Sequence, residues 1–195
     1  MTALPKTKYT LEGYFELERN SEGWFEYFDG DVFEMSGVHP RRGQIEMNLA
    51  TILNPHALNR GCRIFPSNVR VKVPTLPPYR CPDLSAMYGK PTFEEINGLP
   101  CLTNPALIVE ILSPTTEAFD RGEKFKRYKS IKSFREYILI SQDQKNITHY
   151  LKQSKKFWRQ ADYNDGENLK IETLGFEISV DEVYQSINID SETGF

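Results

Sequence analysis

The chain has 195 residues, 39% of them hydrophobic, with 24 Lys and Arg against 27 Asp and Glu, a net charge of −3. That length suits one domain or at most two, and the composition excludes disordered and collagen-like classes. The charge balance excludes a polycation that coats nucleic acid over its whole surface, so any such contact has to be a local patch.

Cys62, Cys81 and Cys101 are an odd number without zinc-ligand spacing, which reads as reduced thiols in a cytoplasmic protein. Neither a secretory leader nor an apolar run of roughly 18 residues is visible, so a soluble protein with no membrane partner is expected.

In chain order, residues 9–19 suggest a short helix with Leu11, Tyr14, Phe15 and Leu17 on its apolar side. Aromatic and β-branched runs on either side of Asp29-Gly30 predict a hairpin over 24–35. Pro40 opens a helix in which Ile45, Leu49, Ile52 and Leu53 recur at helical spacing, ending near Gly61. Val69, Val71 and Val73 alternate with Arg70 and Lys72, which predicts one strand over 63–73. Residues 82–88 read as the next strand, and 89–105 as a loop.

Residues 107–112 are almost continuously apolar, as in a central strand covered on both faces. Asp120 followed by Glu123 predicts a capped helix from about Arg121 to Ile131. Residues 137–140 form another buried strand, 147–178 read as hairpins around Asn164-Asp165-Gly166, and Ser179 with Glu182 marks a closing helix. The strand–helix–strand succession from 107 to 140 makes its two strands parallel neighbours. One α/β domain over 1–195 accounts for the chain.

Glu110 stands inside the apolar strand, where an unpaired carboxylate would cost several kcal/mol. It needs a buried cation partner, a metal ion, or a sheet face less covered than the pattern suggests. Asp83 follows Pro82 at a strand start and lies 27 residues earlier, so the two carboxylates could meet on neighbouring strands and share a hard divalent cation. A turn-starting Asp is the plain alternative. Lys124, in the first turn of the helix capped by Asp120, would lean back towards them; otherwise it is a solvated surface lysine. Residues 121–135 hold seven basic side chains and one acidic, and Arg60, Arg63, Arg70 and Lys72 form a second basic stretch. Such patches suit a phosphate backbone, with Arg70, Arg121, Lys126 and Arg127 as contacts, or are solvated faces.

The strings YFDGDVFEMSG (27–37), CPDLS (81–85), LIVEILSPTTEAFDRGEKFKRY (107–128) and EYILIS (136–141) resemble the PD-(D/E)XK nuclease superfamily, specifically its Uma-two-like branch common in cyanobacteria. The likeness runs from about Glu12 to Tyr184. It implies a restriction-endonuclease-like α/β core, a mixed central sheet flanked by helices, here with extra β-hairpins. It also implies that Asp83, Glu110 and the carbonyl of Ile111 hold Mg²⁺ or Mn²⁺, and that Lys124 stabilises charge on the phosphate or orients the water. Leu112 stands where the superfamily has its lysine, so the resemblance moves that role to Lys124.

Arg42 stands where the branch often has a histidine, and Arg is neither a neutral acceptor nor a metal ligand. Glu46, one turn on, serves the site only if it faces the cleft. Glu26 matches a family acidic position but reads as an exposed strand residue, and Asp120 as a helix cap. The function implied is a metal-dependent endonuclease acting on DNA, with a homodimer by analogy. The alternatives are an inactive nuclease-fold module that binds nucleic acid or protein, and a hydrolase of other phosphate esters.

Overall fold

The computed structural model describes residues 2–3, 8–21, 25–34, 39–75 and 79–191. A short strand, β1 (Thr2–Ala3), pairs with the hairpin described below. Helix α1 (Leu11–Asn20) starts at Thr10, whose hydroxyl accepts the Gly13 N–H. Strands β2 (Phe25–Phe28) and β3 (Asp31–Glu34) form the expected hairpin. Its turn residues Asp29 and Gly30 have φ of 47° and 90°, the two positive angles that a two-residue turn matched to strand twist requires. Met35, the expected end of this hairpin, lies outside the described residues. Helix α2 (Pro40–Asn59) carries Pro at its first position and buries Ile45, Leu49, Leu53 and Ala57.

The single strand expected over 63–73 is two strands in different sheets, β4 (Cys62–Pro66) and β5 (Arg70–Lys72). A turn closed by the Val69 N–H on the Pro66 carbonyl separates them. Next come β6 (Tyr79–Arg80) and β7 (Leu84–Tyr88). The expected loop over 89–105 contains a hairpin, β8 (Phe93–Ile96) and β9 (Leu99–Leu102). Asn97 and Gly98, with φ of 51° and 80°, form its turn.

Strand β10 (Leu107–Leu112) is buried at every position. The helix after it begins three residues earlier than Asp120: α3 (Glu117–Phe119), a π-helical turn (Asp120–Lys124) and α4 (Phe125–Tyr128) run on continuously. Strands β11 (Glu136–Ser141), β12 (Asn146–Lys152), β13 (Trp158–Asn164), β14 (Asn168–Ile171) and β15 (Phe176–Ser179) follow. The closing helix, α5 (Val180–Val183), is a single turn with the Ser179–Glu182 capping box in place.

The central sheet has the order β13-β12-β11-β10-β7-β4. Only β10 and β11 pair in parallel, so the sheet is mixed. One face packs on α2, the β14–β15 hairpin and α5 through Ile45, Leu49, Val109, Ile138 and Val183. The other packs on the 117–128 helix through Ile108, Leu112, Phe125, Tyr128 and Tyr137. A smaller aromatic cluster, with Tyr14, Phe15 and Tyr79, joins α1 to the first hairpin and β6. Among the described residues no helix is long and apolar enough to cross a membrane.

Candidate active site

Strands β7 and β10 run antiparallel, with Ser85 opposite Ile108 and Leu84 opposite Val109. One more step of that register puts Asp83 opposite Glu110. Side chains alternate along a strand, so Glu110 shares the face of Ile108 and Leu112, the face covered by the 117–128 helix. A mid-strand carboxylate is therefore delivered next to that helix.

Two contacts hold Asp83. Its Oδ2 accepts the Ile111 N–H at 2.6 Å, and its Oδ1 accepts Nε and Nη2 of Arg42 at 3.1 and 2.5 Å. Glu110 receives the Tyr128 hydroxyl at 2.9 Å on Oε1 and the Lys124 ammonium at 2.9 Å on Oε2. The ammonium also lies 3.2 Å from Asp120 Oδ1 and 3.8 Å from Glu26 Oε1. Asp83, Glu110, Asp120 and Lys124 are all buried, whereas the Arg42 side chain keeps 20% of its exposure.

Burial pushes the Glu110 carboxyl up to about 8; Lys124 opposes that shift, and Asp120, Asp83 and Glu26 add to it. Burial works against the Lys124 charge, but Asp120, Glu110 and Glu26 outweigh it and hold its pKa well above the ordinary lysine value. For Arg42, burial is likewise outweighed by the Asp83 carboxylate.

The structure thus brings Asp83, Glu110 and Lys124 together, with Arg42, Asp120 and Glu26 around them. Three expectations change. Asp120 is not a cap: its N–H already donates to the Thr116 carbonyl inside a running helix, and its carboxylate lies beside Lys124. Lys124 accordingly sits about two turns into the helix. Glu26 is buried, with its Oε1 turned to the Lys124 ammonium at 3.8 Å. Glu46 is half-buried, and its carboxyl is raised by burial and by Asp83, against the pull of Ser67 and Arg42.

The basic residues divide. Arg70 pairs with Glu18 over the Tyr79 ring, which makes it a packed ion pair in place of an open phosphate contact. Arg121 bonds Glu117 and the Thr148 hydroxyl. Lys126 is exposed near Glu123, and Arg127 is half-buried 3.9 Å from the same carboxylate.

Tyr128 is the residue the sequence reading missed. Its signal was its position four residues after Lys124, one helical turn along the same face.

The donor set suits a hard divalent cation. Glu26, Asp83, Glu110 and Asp120 face two cationic groups, Arg42 and Lys124, so the fully ionised cluster carries two surplus negative charges. Glu26 Oε1 and Asp120 Oδ1 are buried without a hydrogen bond. Among the described residues no group of three or more His, Cys, Asp or Glu side chains is arranged to hold a metal ion. Mg²⁺ does not require one, because it takes one or two carboxylates and keeps several waters.

Residues 11–181 match the profile of Uma2, described as "Putative restriction endonuclease". Two relatives come from Synechocystis sp. (strain ATCC 27184 / PCC 6803 / Kazusa). The "Uncharacterized protein slr1290" is 30% identical over 183 residues, covering 94% of this chain and 95% of that protein. The "Uncharacterized protein sll1609" is 29% identical over 163 residues, covering 84% and 91%. The fold matches that of "a putative nuclease belonging to DUF820 from Anabaena variabilis ATCC 29413", with a TM-score of 0.69 and 18% identity over 90% of this chain and 97% of that one.

Proposed function

The chain belongs to the Uma2 family, the one described as "Putative restriction endonuclease", and from that premise we propose that it is a Mg²⁺- or Mn²⁺-dependent endonuclease hydrolysing DNA phosphodiester bonds. The observation that carries this reading is the Lys124 ammonium 2.9 Å from Glu110, on the strand whose next residue, Ile111, holds Asp83 through its N–H at 2.6 Å.

Asp83, Glu110 and the Ile111 carbonyl would hold the ion. When bound, it lowers the pKa of a water and neutralises charge on the scissile phosphate. The Ile111 N–H fixes Asp83 and the Tyr128 hydroxyl fixes Glu110, so neither carboxylate has to be ordered when substrate arrives. Lys124, kept charged by three carboxylates, is a compact cation for the charge that develops on the phosphate oxygens.

The test is incubation of purified protein with supercoiled and linear DNA in Mg²⁺ or Mn²⁺. Cleavage is expected, with a loss of at least about a hundredfold in Asp83→Ala. No cleavage under any condition, or cleavage indifferent to Asp83→Ala, overturns the proposal.

A second reading has its own observation: the Arg42 guanidinium already occupies Asp83 Oδ1. If that contact is permanent, the chain is a nucleic-acid-binding module, which predicts salt-sensitive DNA binding without turnover.

A further inference from the structure

Arg42 is the outermost member of the cluster. Its side chain is 20% exposed, against 3% for Asp83 and 2% for Glu110. Two of its nitrogens converge on one oxygen of Asp83, and the other oxygen is held by the Ile111 N–H. An incoming cation therefore finds the Asp83 carboxylate already engaged on both oxygens by groups that repel positive charge.

The contact is also one that can be exchanged. A guanidinium binds carboxylate and phosphate through the same planar fork of donors, so a DNA phosphate beside the site offers Arg42 an equivalent partner. The first turn of α2 does not have to move for this exchange. Neighbouring Arg41 anchors that turn to Asp143 at 3.3 Å and to the Ser191 carbonyl, so Arg42 can leave by turning its own side chain.

We infer that Arg42 is a substrate-released latch: it rests on Asp83 in the free protein and transfers to the DNA backbone, which opens Asp83 to the divalent cation. This inference rests on the nuclease reading and adds an order of events to it. Release of Asp83 by phosphate favours the cation, and a cation at Asp83 disfavours the return of Arg42. The two ligands therefore help each other by the same factor, as linkage requires.

The experiment follows Mn²⁺ binding to the full chain by electron paramagnetic resonance of the free ion, with and without a short phosphorothioate duplex that resists cleavage. Without DNA, Arg42→Ala should bind Mn²⁺ about tenfold more tightly than wild type, and Arg42→Gln, which retains a hydrogen-bonding group without the charge, should fall between them. In wild type the duplex should tighten Mn²⁺ binding several-fold, and in Arg42→Ala that coupling should shrink to the part the phosphate contributes by meeting the ion directly. Circular dichroism of both variants establishes that each is folded.

Equal Mn²⁺ affinity in wild type and both folded variants overturns the latch and leaves the metal site standing. Absence of Mn²⁺ binding from all three proteins, with or without duplex, overturns the metal site and the latch with it.

Discussion

Glu110 connects strand position to protonation. Its folded pKa is about 8 because it is buried among other carboxylates, whereas an unfolded glutamate titrates near 4.3. Between those values the folded state binds more protons than the unfolded state, so stability falls as pH rises. Thermal unfolding in a chelator should therefore show wild type losing a few kcal/mol, relative to Glu110→Gln, from about pH 5 to pH 8. The raised pKa of Lys124 acts above the ordinary lysine range and leaves that window alone. Parallel profiles for the two proteins would mean that Glu110 titrates normally in the fold. Tyr128→Phe removes the hydroxyl from Glu110 Oε1 while keeping the ring in its aromatic cluster. A buried carboxylate oxygen left without a donor should cost about 1–3 kcal/mol in urea unfolding. An unchanged midpoint would show that this hydroxyl is dispensable.

At the scale of elements, the 117–128 helix shows how a correct motif can point to the wrong position. Asp120 and Glu123 have the spacing of a capping box, but the same two residue types occur inside helices. What distinguishes the cases is the Lys124 ammonium 3.2 Å from Asp120 and the helical turn already formed ahead of it. The π-helical turn lies at the site, where such single-turn insertions are often found. The hairpin over 93–102 carries a strong turn signal in Asn97-Gly98, but the strand Phe93–Ile96 is half polar and mostly exposed and shows no clean alternation. Gly43, one residue after Arg42 in α2, has nothing within 4 Å of where a Cβ would stand. Gly43→Ala should therefore stabilise the protein by about 0.5–1 kcal/mol, read as a higher melting temperature. A lower one would mean that the turn holding Arg42 depends on the freedom of glycine there.

For the whole molecule, the net charge of −3 makes DNA affinity depend on where the cations lie. The basic segment 121–135 is less available than its count suggests. Lys124 is buried among carboxylates, Arg121 is bonded to Glu117, and the Lys129 ammonium stands 4.2 Å from the centre of the Phe125 ring. Lys126 is exposed, with 76% of its side chain open, as are Lys129, Lys132 and Arg135. If it contacts a phosphate, Lys126→Gln should weaken binding to every sequence alike and lower the slope of log affinity against log salt by about 0.9. Fluorescence anisotropy across a salt series measures that slope, and an unaltered value would place the DNA path elsewhere on the surface.

The sequence by itself determined the elements whose residues decide their own conformation: the Asp29-Gly30 hairpin, the Pro40 helix, the two apolar strands 107–112 and 137–140, and their parallel pairing. It also singled out Asp83, Glu110 and Lys124, because a charge inside an apolar strand has to be answered by something. Only the tertiary structure decided what answers it. Local pattern carries no information on which hairpin closes over a cleft, so Glu26 and Asp120 read as an exposed strand residue and a cap. Arg42 and Arg70 likewise read as a substituted site position and a surface cation. Each is instead part of a charge cluster built by strand register and helix docking, and those contacts join residues 41 and 52 positions apart in the chain.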